Sequence, residues 1–262
     1  MAAPLPFDRS WAMKDTPGPR AAGLGPYREF YERKAASYQD LSSAVGRREK
    51  VVLGLFPPKN GLRILDYGCG SGRFLRILRD QGHDVVGMDI SETAVETVRG
   101  SGIDAVTGEA ETRRGFDKLS GPFDVITALD VLEHTFDPAC VIRNLFQILS
   151  KDGCFIASVP NVGCLPARAT ILGGRFPATP TGLFDSGHIR WFTVSNLGHY
   201  VGQAGGAQLL ACAGTPLPSI SKCGLWRAEK FQDQILTWLA RHWPSLWGYQ
   251  IVFKLTRAGD ER

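Results

Sequence analysis

Short apolar runs alternate with helical stripes along the middle of this chain. Ile64-Leu65 is followed by Leu75, Ile77 and Leu78 at spacing that suits a helix over Gly72 to Gln81. Asp84 to Ile90 reads as a second strand, and Ser91 is placed to cap the helix after it, with Glu92 and Ala94 in the first turn. Asp104 to Gly108 is a short third strand. Phe123 to Leu129 is almost unbroken apolar, as expected of a strand buried on both faces. Val141, Ile142, Leu145, Ile148 and Leu149 line one side of a helix over Asp137 to Ser150. Gly153 to Val159 is a fifth strand, Thr193 to Ala204 a helix, Ala207 to Ala213 a sixth strand and Trp247 to Thr256 a seventh. Such alternation implies parallel strands joined by helical crossovers, an α/β doubly wound sheet. Ligands of these sheets sit beyond the C-terminal ends of the strands.

The flanks break this rhythm. Residues 1–26 carry Pro4, Pro6, Pro17, Pro19 and Pro26 and read as a flexible arm. In 27–56, Tyr27, Phe30, Tyr31, Ala35 and Tyr38 recur at helical spacing, continued by Val45, Val51, Val52 and Leu55, so two helices are expected ahead of the first strand. Residues 160–192 hold four prolines and no clear period. An irregular stretch of that length inside a compact domain points to binding. Residues 214–246 form a second insertion, with Trp226, Trp238 and Trp243 and a helical stripe of Phe231, Ile235, Leu236 and Leu239. That stripe packs on the last strand, or serves as a substrate lid, or meets a lipid-linked acceptor at a membrane surface. Residues 27–262 together read as one domain.

Composition narrows the class without naming it. Of 262 residues 44% are hydrophobic and 21% charged, which suits a globular protein with a sizeable core. A net charge of +4 without a dense Lys/Arg run makes no case for nucleic acid. Cys69, Cys140, Cys154, Cys164, Cys212 and Cys223 form no C-x-x-C pair, which argues against a zinc ribbon and a disulfide framework and fits reduced cytoplasmic thiols. No apolar run reaches the ~18 residues of a membrane span, and the N-terminus has no basic-then-apolar leader, so a cytoplasmic protein is expected. Nothing in the pattern specifies an oligomeric state.

The densest chemistry lies in Asp66-Tyr67-Gly68-Cys69-Gly70-Ser71-Gly72-Arg73, between the first strand and the first helix. Glycine lacks a Cβ, so the turn can adopt positive φ and let a ligand approach the backbone. The helix that opens there presents free N–H groups and a positive dipole end. A dinucleotide fingerprint would need glycine where Arg73 stands, and no Gly-Lys-Ser/Thr of a P-loop follows. The acid inside the turn, Asp66, repels a phosphate and suits a cationic or amino-bearing ligand. Asp89 follows Gly68 by 21 residues, at the end of the second strand. A carboxylate there can accept hydrogen bonds from both hydroxyls of a ribose, or cap the next helix.

This D-x-G-x-G-x-G string resembles motif I of the class I S-adenosylmethionine-dependent methyltransferases. Tyr31-Glu32-Arg33-Lys34-Ala35-Ala36-Ser37-Tyr38 is similar to the N-terminal lid that small-molecule members carry over their cofactor, although these aromatics equally suit a simple cover for the sheet. The resemblance implies a Rossmann-like seven-stranded sheet, with an antiparallel last strand beside strand six. It implies a helical lid at 27–56, a cofactor-binding core at 63–159 and substrate-side insertions at 160–192 and 214–246. The cofactor would be S-adenosyl-L-methionine. Asp66 and the backbone of Gly68, Gly70 and Gly72 would hold its amino and carboxylate ends, Asp89 its ribose, and Ile90 would flank the adenine. Glu109 or Ala110 would meet the adenine amino group, and Leu129 and Asp130 would lie beside the methionine moiety. Tyr31 would reach the substrate from the lid.

With the methyl group already activated on a cationic sulfur, such a protein mainly aligns the acceptor and excludes water. An acceptor hydroxyl must also lose a proton. Leu129-Asp130-Val131-Leu132-Glu133-His134-Thr135 resembles the E-x-x-E-H turn of ubiquinone-biosynthesis O-methyltransferases, some of which bind a metal there. Asp130, Glu133 and His134 converge if the turn is helical, and such a set suits a divalent metal. The first acid is one methylene shorter, however, and V-L-E-H is widespread among relatives that need no metal. The expectation is therefore no metal, with Glu133 and His134 steadying the loop and His134 facing the acceptor. Asp185-Ser186-Gly187-His188-Ile189-Arg190-Trp191-Phe192-Thr193 resembles the D-x-x-H-x-R-x-F-T signature of a branch found in sugar, lipopolysaccharide and natural-product pathways. His188, with an ordinary pKa of about 6.5, is a second candidate base. Arg190 binds an acidic substrate group or pairs with Asp185. In the structural alternative, His188 bonds backbone and Thr193 caps the next helix. Asn161, just after the fifth strand, is a further pocket candidate. No N-P-P-Tyr/Phe string follows the fourth strand, which disfavours nitrogen acceptors. The reading is a small-molecule O-methyltransferase acting on a sugar, lipid-linked or phenolic acceptor. A non-catalytic cofactor-binding partner of another enzyme competes with it; Arg73 disfavours a nicotinamide oxidoreductase.

Overall fold

The computed structural model describes residues 25–35, 45–218 and 226–259. Most of the expected N-terminal arm, Tyr38 and Cys223 lie outside them, as does the side chain of Trp226. Helices α1 (Gly25–Ala35) and α2 (Arg47–Leu53) precede β1 (Arg63–Tyr67). Then come α3 (Arg73–Asp80), β2 (Asp84–Asp89), α4 (Glu92–Gly100), β3 (Asp104–Thr107), β4 (Phe123–Leu129), α5 (Pro138–Gln147) and β5 (Leu149–Pro160). The chain continues through α6 (Leu165–Leu172), α7 (Val194–Ala204), β6 (Ala207–Pro216), α8 (Trp226–His242), α9 (Pro244–Trp247) and β7 (Gly248–Arg257).

The strands form one seven-stranded sheet in the order β3-β2-β1-β4-β5-β7-β6. β1 to β5 are parallel, and β7 runs antiparallel to both β5 and β6. Consecutive apolar residues in the strands serve two cores, because side chains alternate across a sheet. Leu65, Ile126, Phe155 and Phe253 point to the side covered by Val141, Ile142 and Leu145 of α5 and Leu197 and Val201 of α7. Ile64, Val125, Ile156 and Val252 point to the side covered by Val52 of α2, Leu75 and Leu78 of α3 and Val95 and Val98 of α4. That is why β4 lacks an alternating pattern.

Helix ends follow local chemistry. Ser91 caps α4 by accepting from the Ala94 N–H at 3.1 Å, and Asp137 caps α5 by accepting from Cys140 N–H at 2.9 Å. Thr193 and Asn196 form a reciprocal capping box at the start of α7. The stretch expected to be irregular after β5 contains α6. Pro166 reads as a breaker, but it sits in the first turn of that helix, where a missing N–H leaves nothing unpaired. A third, smaller core gathers Cys164 and Ala167 with Leu183, Phe184, Leu217 and Leu236 at the corner where the two insertions meet.

Candidate active site

The order of the strands reverses at β1, and the glycine turn lies at the carboxyl end of that strand. Gly68, Gly70 and Gly72 have φ of 74°, 50° and 76°. A Cβ on Gly68 would collide with Cγ2 of Val131, so only glycine lets this wall close. The Gly68 N–H donates to the Met88 carbonyl at 2.7 Å. The Gly70 and Ser91 N–H groups each donate to one carboxylate oxygen of Asp89, both at 2.9 Å. The turn and the end of β2 are thereby fixed to each other. Burial raises the Asp89 pKa, against the pull of these N–H donors.

A cleft of about 480 Å³ opens over the turn. Gly68, Gly70, Asp89, Ile90, Glu109, Leu129, Asp130 and Tyr31 stand on its wall. Glu109 Oε2 accepts from Thr112 Oγ1 at 2.9 Å, whereas its Oε1 is buried without a hydrogen-bond partner. An orphaned carboxylate oxygen in a cleft wall calls for a donor from a ligand.

Three expected contacts are placed elsewhere. Gly72 does not line the cleft; a Cβ there would meet Cγ2 of Val98 on α4 at 2.9 Å. Ala110 is fully buried, and its N–H donates to Tyr67 Oη at 3.2 Å, so it does not reach the cleft. Asp66 lies beneath the turn rather than on the wall, 3% exposed, and accepts from Thr127 Oγ1 at 2.6 Å. Burial lifts its pKa to about 7; the Thr127 bond and the charge of Arg48 oppose this, and the charge of Asp89 adds to it. Asp66 therefore acts on the cleft through its field, not by contact.

Sequence reasoning missed Arg48. Helix α2 delivers it to the cleft, where Nη1 lies 2.5 Å from Asp130 Oδ2 and Nη2 lies 3.0 Å from Glu49 Oε1. Asp130 adopts φ of 57°, a left-handed conformation costly for a residue with a Cβ. Its carboxylate is saturated, because Ser158 Oγ donates at 2.7 Å and Gln250 Nε2 lies 2.9 and 2.7 Å from its two oxygens. Asp130 thus forms the partition between the cleft and a second cavity of about 200 Å³.

The second cavity joins the two motifs that the sequence separates by half a hundred residues. Leu132–His134 forms a 3-10 turn. The Ile189 and Arg190 N–H groups donate to the Glu133 carbonyl at 2.9 and 3.0 Å. His134 Nδ1 lies 2.9 Å from the Gly187 carbonyl and His188 Nδ1 3.3 Å from the Leu183 carbonyl. A carbonyl only accepts, so each Nδ1 carries a hydrogen. The two rings are 4.8 Å apart, and Tyr31 of α1 meets His134 edge-on at 5.6 Å. His188 Nε2 is 3.9 Å from Glu133 Oε1. Both carboxylate oxygens of Glu133 are buried without a hydrogen-bond partner. Burial and then the charge of Asp130 push the Glu133 pKa well above the carboxylate range.

These positions correct three expectations. Asp130, Glu133 and His134 do not form one donor set, since Arg48, Ser158 and Gln250 take the Asp130 carboxylate. Among the described residues the donors that gather are those of Glu133, His134 and His188, within 4.8 Å of one another. Arg190 meets neither Asp185 nor a cavity: its guanidinium donates to the Phe136 carbonyl, Nε at 3.1 Å and Nη2 as well, and Nη1 to the Ile189 carbonyl at 3.2 Å. It clamps the 185–190 loop onto the Glu133 turn. Asn161 lines neither cavity; its side chain is used up by backbone groups of the α6 entry and of α9 and its surroundings.

Comparison with known proteins agrees with this geometry. A family model described as a methyltransferase domain matches residues 27–208. The ubiquinone biosynthesis O-methyltransferase of Aromatoleum aromaticum is 29% identical over 174 residues, 63% of this chain and 73% of that protein. The protein of the same name from Methylococcus capsulatus is 31% identical over 120 residues, 44% of this chain and 51% of that one. The chain thus spans between about half and three-quarters of the length of these curated relatives. An S-adenosylmethionine-dependent methyltransferase from Mesorhizobium loti superposes with a TM-score of 0.56 at 23% identity, over 82% of this chain and all of that one. One from Archaeoglobus fulgidus gives 0.52 at 18%, over 88% and 99%. No helix among the described residues is long and apolar enough to cross a membrane. With the family model covering well over half of its residues and the reversed last strand in place, the chain belongs to the methyltransferase domain family, as a class I S-adenosylmethionine-dependent methyltransferase.

Proposed function

We propose that the chain methylates a hydroxyl oxygen of a small molecule held in the smaller cavity, with His134 accepting the hydroxyl proton. The position of His134 carries this reading. It stands on the wall of both cavities, and its Nδ1 bond to Gly187 sets the tautomer whose Nε2 can take a proton. S-adenosylmethionine supplies an electrophilic methyl group on a cationic sulfur.

The residues present fit that cofactor. The unpartnered Glu109 Oε1 suits an adenine amino group, and Asp89 suits the ribose hydroxyls. Arg48 is placed to meet the methionine carboxylate, and Asp66 contributes negative potential beneath a ligand that is cationic. Glu133 and His188 each place a polar side-chain atom within 4.8 Å of one on His134. The side chains lining the smaller cavity include Asp130, Glu133 and Asp185 but no lysine or arginine, so the reacting end of the acceptor bears no negative charge. Oxygen is preferred because the curated relatives are named O-methyltransferases.

The test is methyl transfer from labelled cofactor across neutral sugars and phenols, paired with calorimetry of S-adenosylhomocysteine. His134→Ala is expected to lower kcat by about 10²–10⁴-fold with S-adenosylhomocysteine affinity held within a few fold. His188→Ala should cost less. Wild-type turnover in His134→Ala would remove the base assigned here. Cofactor binding without turnover of any acceptor would favour the non-catalytic partner.

A further inference from the structure

We propose that the face formed by α6, the loop after it and the outer side of α8 docks on an anionic lipid bilayer. Seven of the thirteen large apolar side chains left in solvent among the described residues belong to these segments, and an eighth, Trp243, follows directly after α8. Leu165, Ile171, Leu172 and Phe176 come from α6 and its following loop, and Leu172 is 87% exposed. On α8, Leu236 and Ala240 turn inward, whereas Phe231, Ile235 and Trp238 remain exposed, Phe231 at 65%. Those three follow at i, i+4 and i+7, which puts them on one face of the helix. The two segments share a corner. Ala167 of α6 and Leu236 of α8 lie in the same small core, and Asn161 bonds both Gly163 ahead of α6 and Pro244 after α8. An apolar helix face beside polar flanks is the geometry of an element that lies in a membrane interface.

Charge selects the occupant. From Gly153 to Phe184 the chain has no acid, and its only charges are Arg168 and Arg175, both exposed. At the far end of α8 lie exposed Arg241 and His242; the Trp238 ring is 4.5 Å from the His242 ring and 5.5 Å from that of Trp243. Asp233 of the same helix is held by Arg47 at 2.7 Å. Tryptophan with arginine around an aliphatic patch suits headgroups that are anionic. A second copy of the chain would instead set these arginines against one another. Leu183 belongs to the same small core and lines the smaller cavity, so this face and that cavity share a wall residue. The inference stands on the surface alone and does not depend on which group is methylated.

The test sediments the full chain with vesicles of phosphatidylcholine alone and of phosphatidylcholine with phosphatidylglycerol. Partition onto the anionic vesicles that weakens with salt is expected, with a blue shift of tryptophan emission. Arg175→Glu should lower the partition coefficient by about fivefold or more. Leu172→Ser with Phe231→Ser should lower it by about tenfold or more. Calorimetry of S-adenosylhomocysteine checks that each variant is folded; if the double variant fails that check, Arg175→Glu and the salt response decide. No partition onto either vesicle, or equal partition onto both, overturns the proposal. So does a dimer in light scattering that Leu172→Ser with Phe231→Ser dissociates, which would assign the face to a second copy.

Discussion

Replacing Asn161 by alanine is expected to cost about 3–5 kcal/mol of stability and to leave cofactor affinity intact. The side chain is 0% exposed. Nδ2 donates to the carbonyls of Gly248 at 2.8 Å, Pro244 at 3.1 Å and Ser245 at 3.3 Å, and Oδ1 accepts from the Gly163 N–H at 2.9 Å. Two Nδ2 hydrogens shared by three carbonyls, with one acceptor bond, amount to roughly three net bonds at about 1 kcal/mol each. Alanine reaches none of these partners. The Gly163 N–H, and at least one carbonyl, are then left buried and unpaired at about 1–3 kcal/mol each, less whatever a water recovers. Urea unfolding should therefore show the midpoint falling on the order of 1–2 M, for a slope of about 2–3 kcal/mol per M. Calorimetry of S-adenosylhomocysteine without urea should agree with wild type within about twofold, since Asn161 lines neither cavity. An unchanged urea midpoint together with a raised acceptor KM would refute this and restore Asn161 as a substrate contact.

Three further outcomes follow from the same geometry. Gly68→Ala forces a Cβ into Val131 at φ of 74°, so it should cost about 1–2 kcal/mol and weaken cofactor binding, with Val131→Ala partly restoring both; absence of that rescue in thermal melts and calorimetry would count against the collision. Asp66 titrates at about 7 against an ordinary 3.8, mainly through burial. Its folded value is raised, so its contribution to stability is whole below about pH 4, declines as pH rises and is lost above 7. Asp66→Asn should accordingly melt above wild type at about pH 8, by on the order of 2–4 kcal/mol, and the gap should close as pH falls towards 4. A gap independent of pH would show that Asp66 is not the titrating group. Glu32 of α1 accepts from Ser91 Oγ and Glu92 N–H, both at 2.7 Å, and from Thr93 N–H at 3.3 Å, which fastens the helix carrying Tyr31 over the start of α4. Glu32→Ala should release S-adenosylhomocysteine about fivefold faster in stopped flow, the loss of one cap; an unchanged rate would mean that α1 does not retain the ligand.

What the sequence by itself determined is local. Strand and helix alternation was legible because apolar periods of two and of three to four residues are set by the backbone over a few residues. The glycine turn was legible because positive φ favours glycine wherever the chain goes next. The antiparallel direction of β7 beside β6 came from resemblance, since no period distinguishes strand direction, and its place next to β5 came from the structure. Only the tertiary structure decided which polar side chains face a ligand. Asn161, Arg190 and Ala110 sit in the same kind of loop as His134 and Glu109, yet their polar groups are consumed by carbonyls or by Tyr67. Arg48 and Gln250 reach Asp130 from 82 and 120 residues away, and the Ile189 and Arg190 N–H groups reach the Glu133 carbonyl across 56 and 57 residues of chain. A hydrogen bond has no sequence period. Whether a buried donor finds backbone, another side chain or a cavity depends on chain segments that only folding brings together.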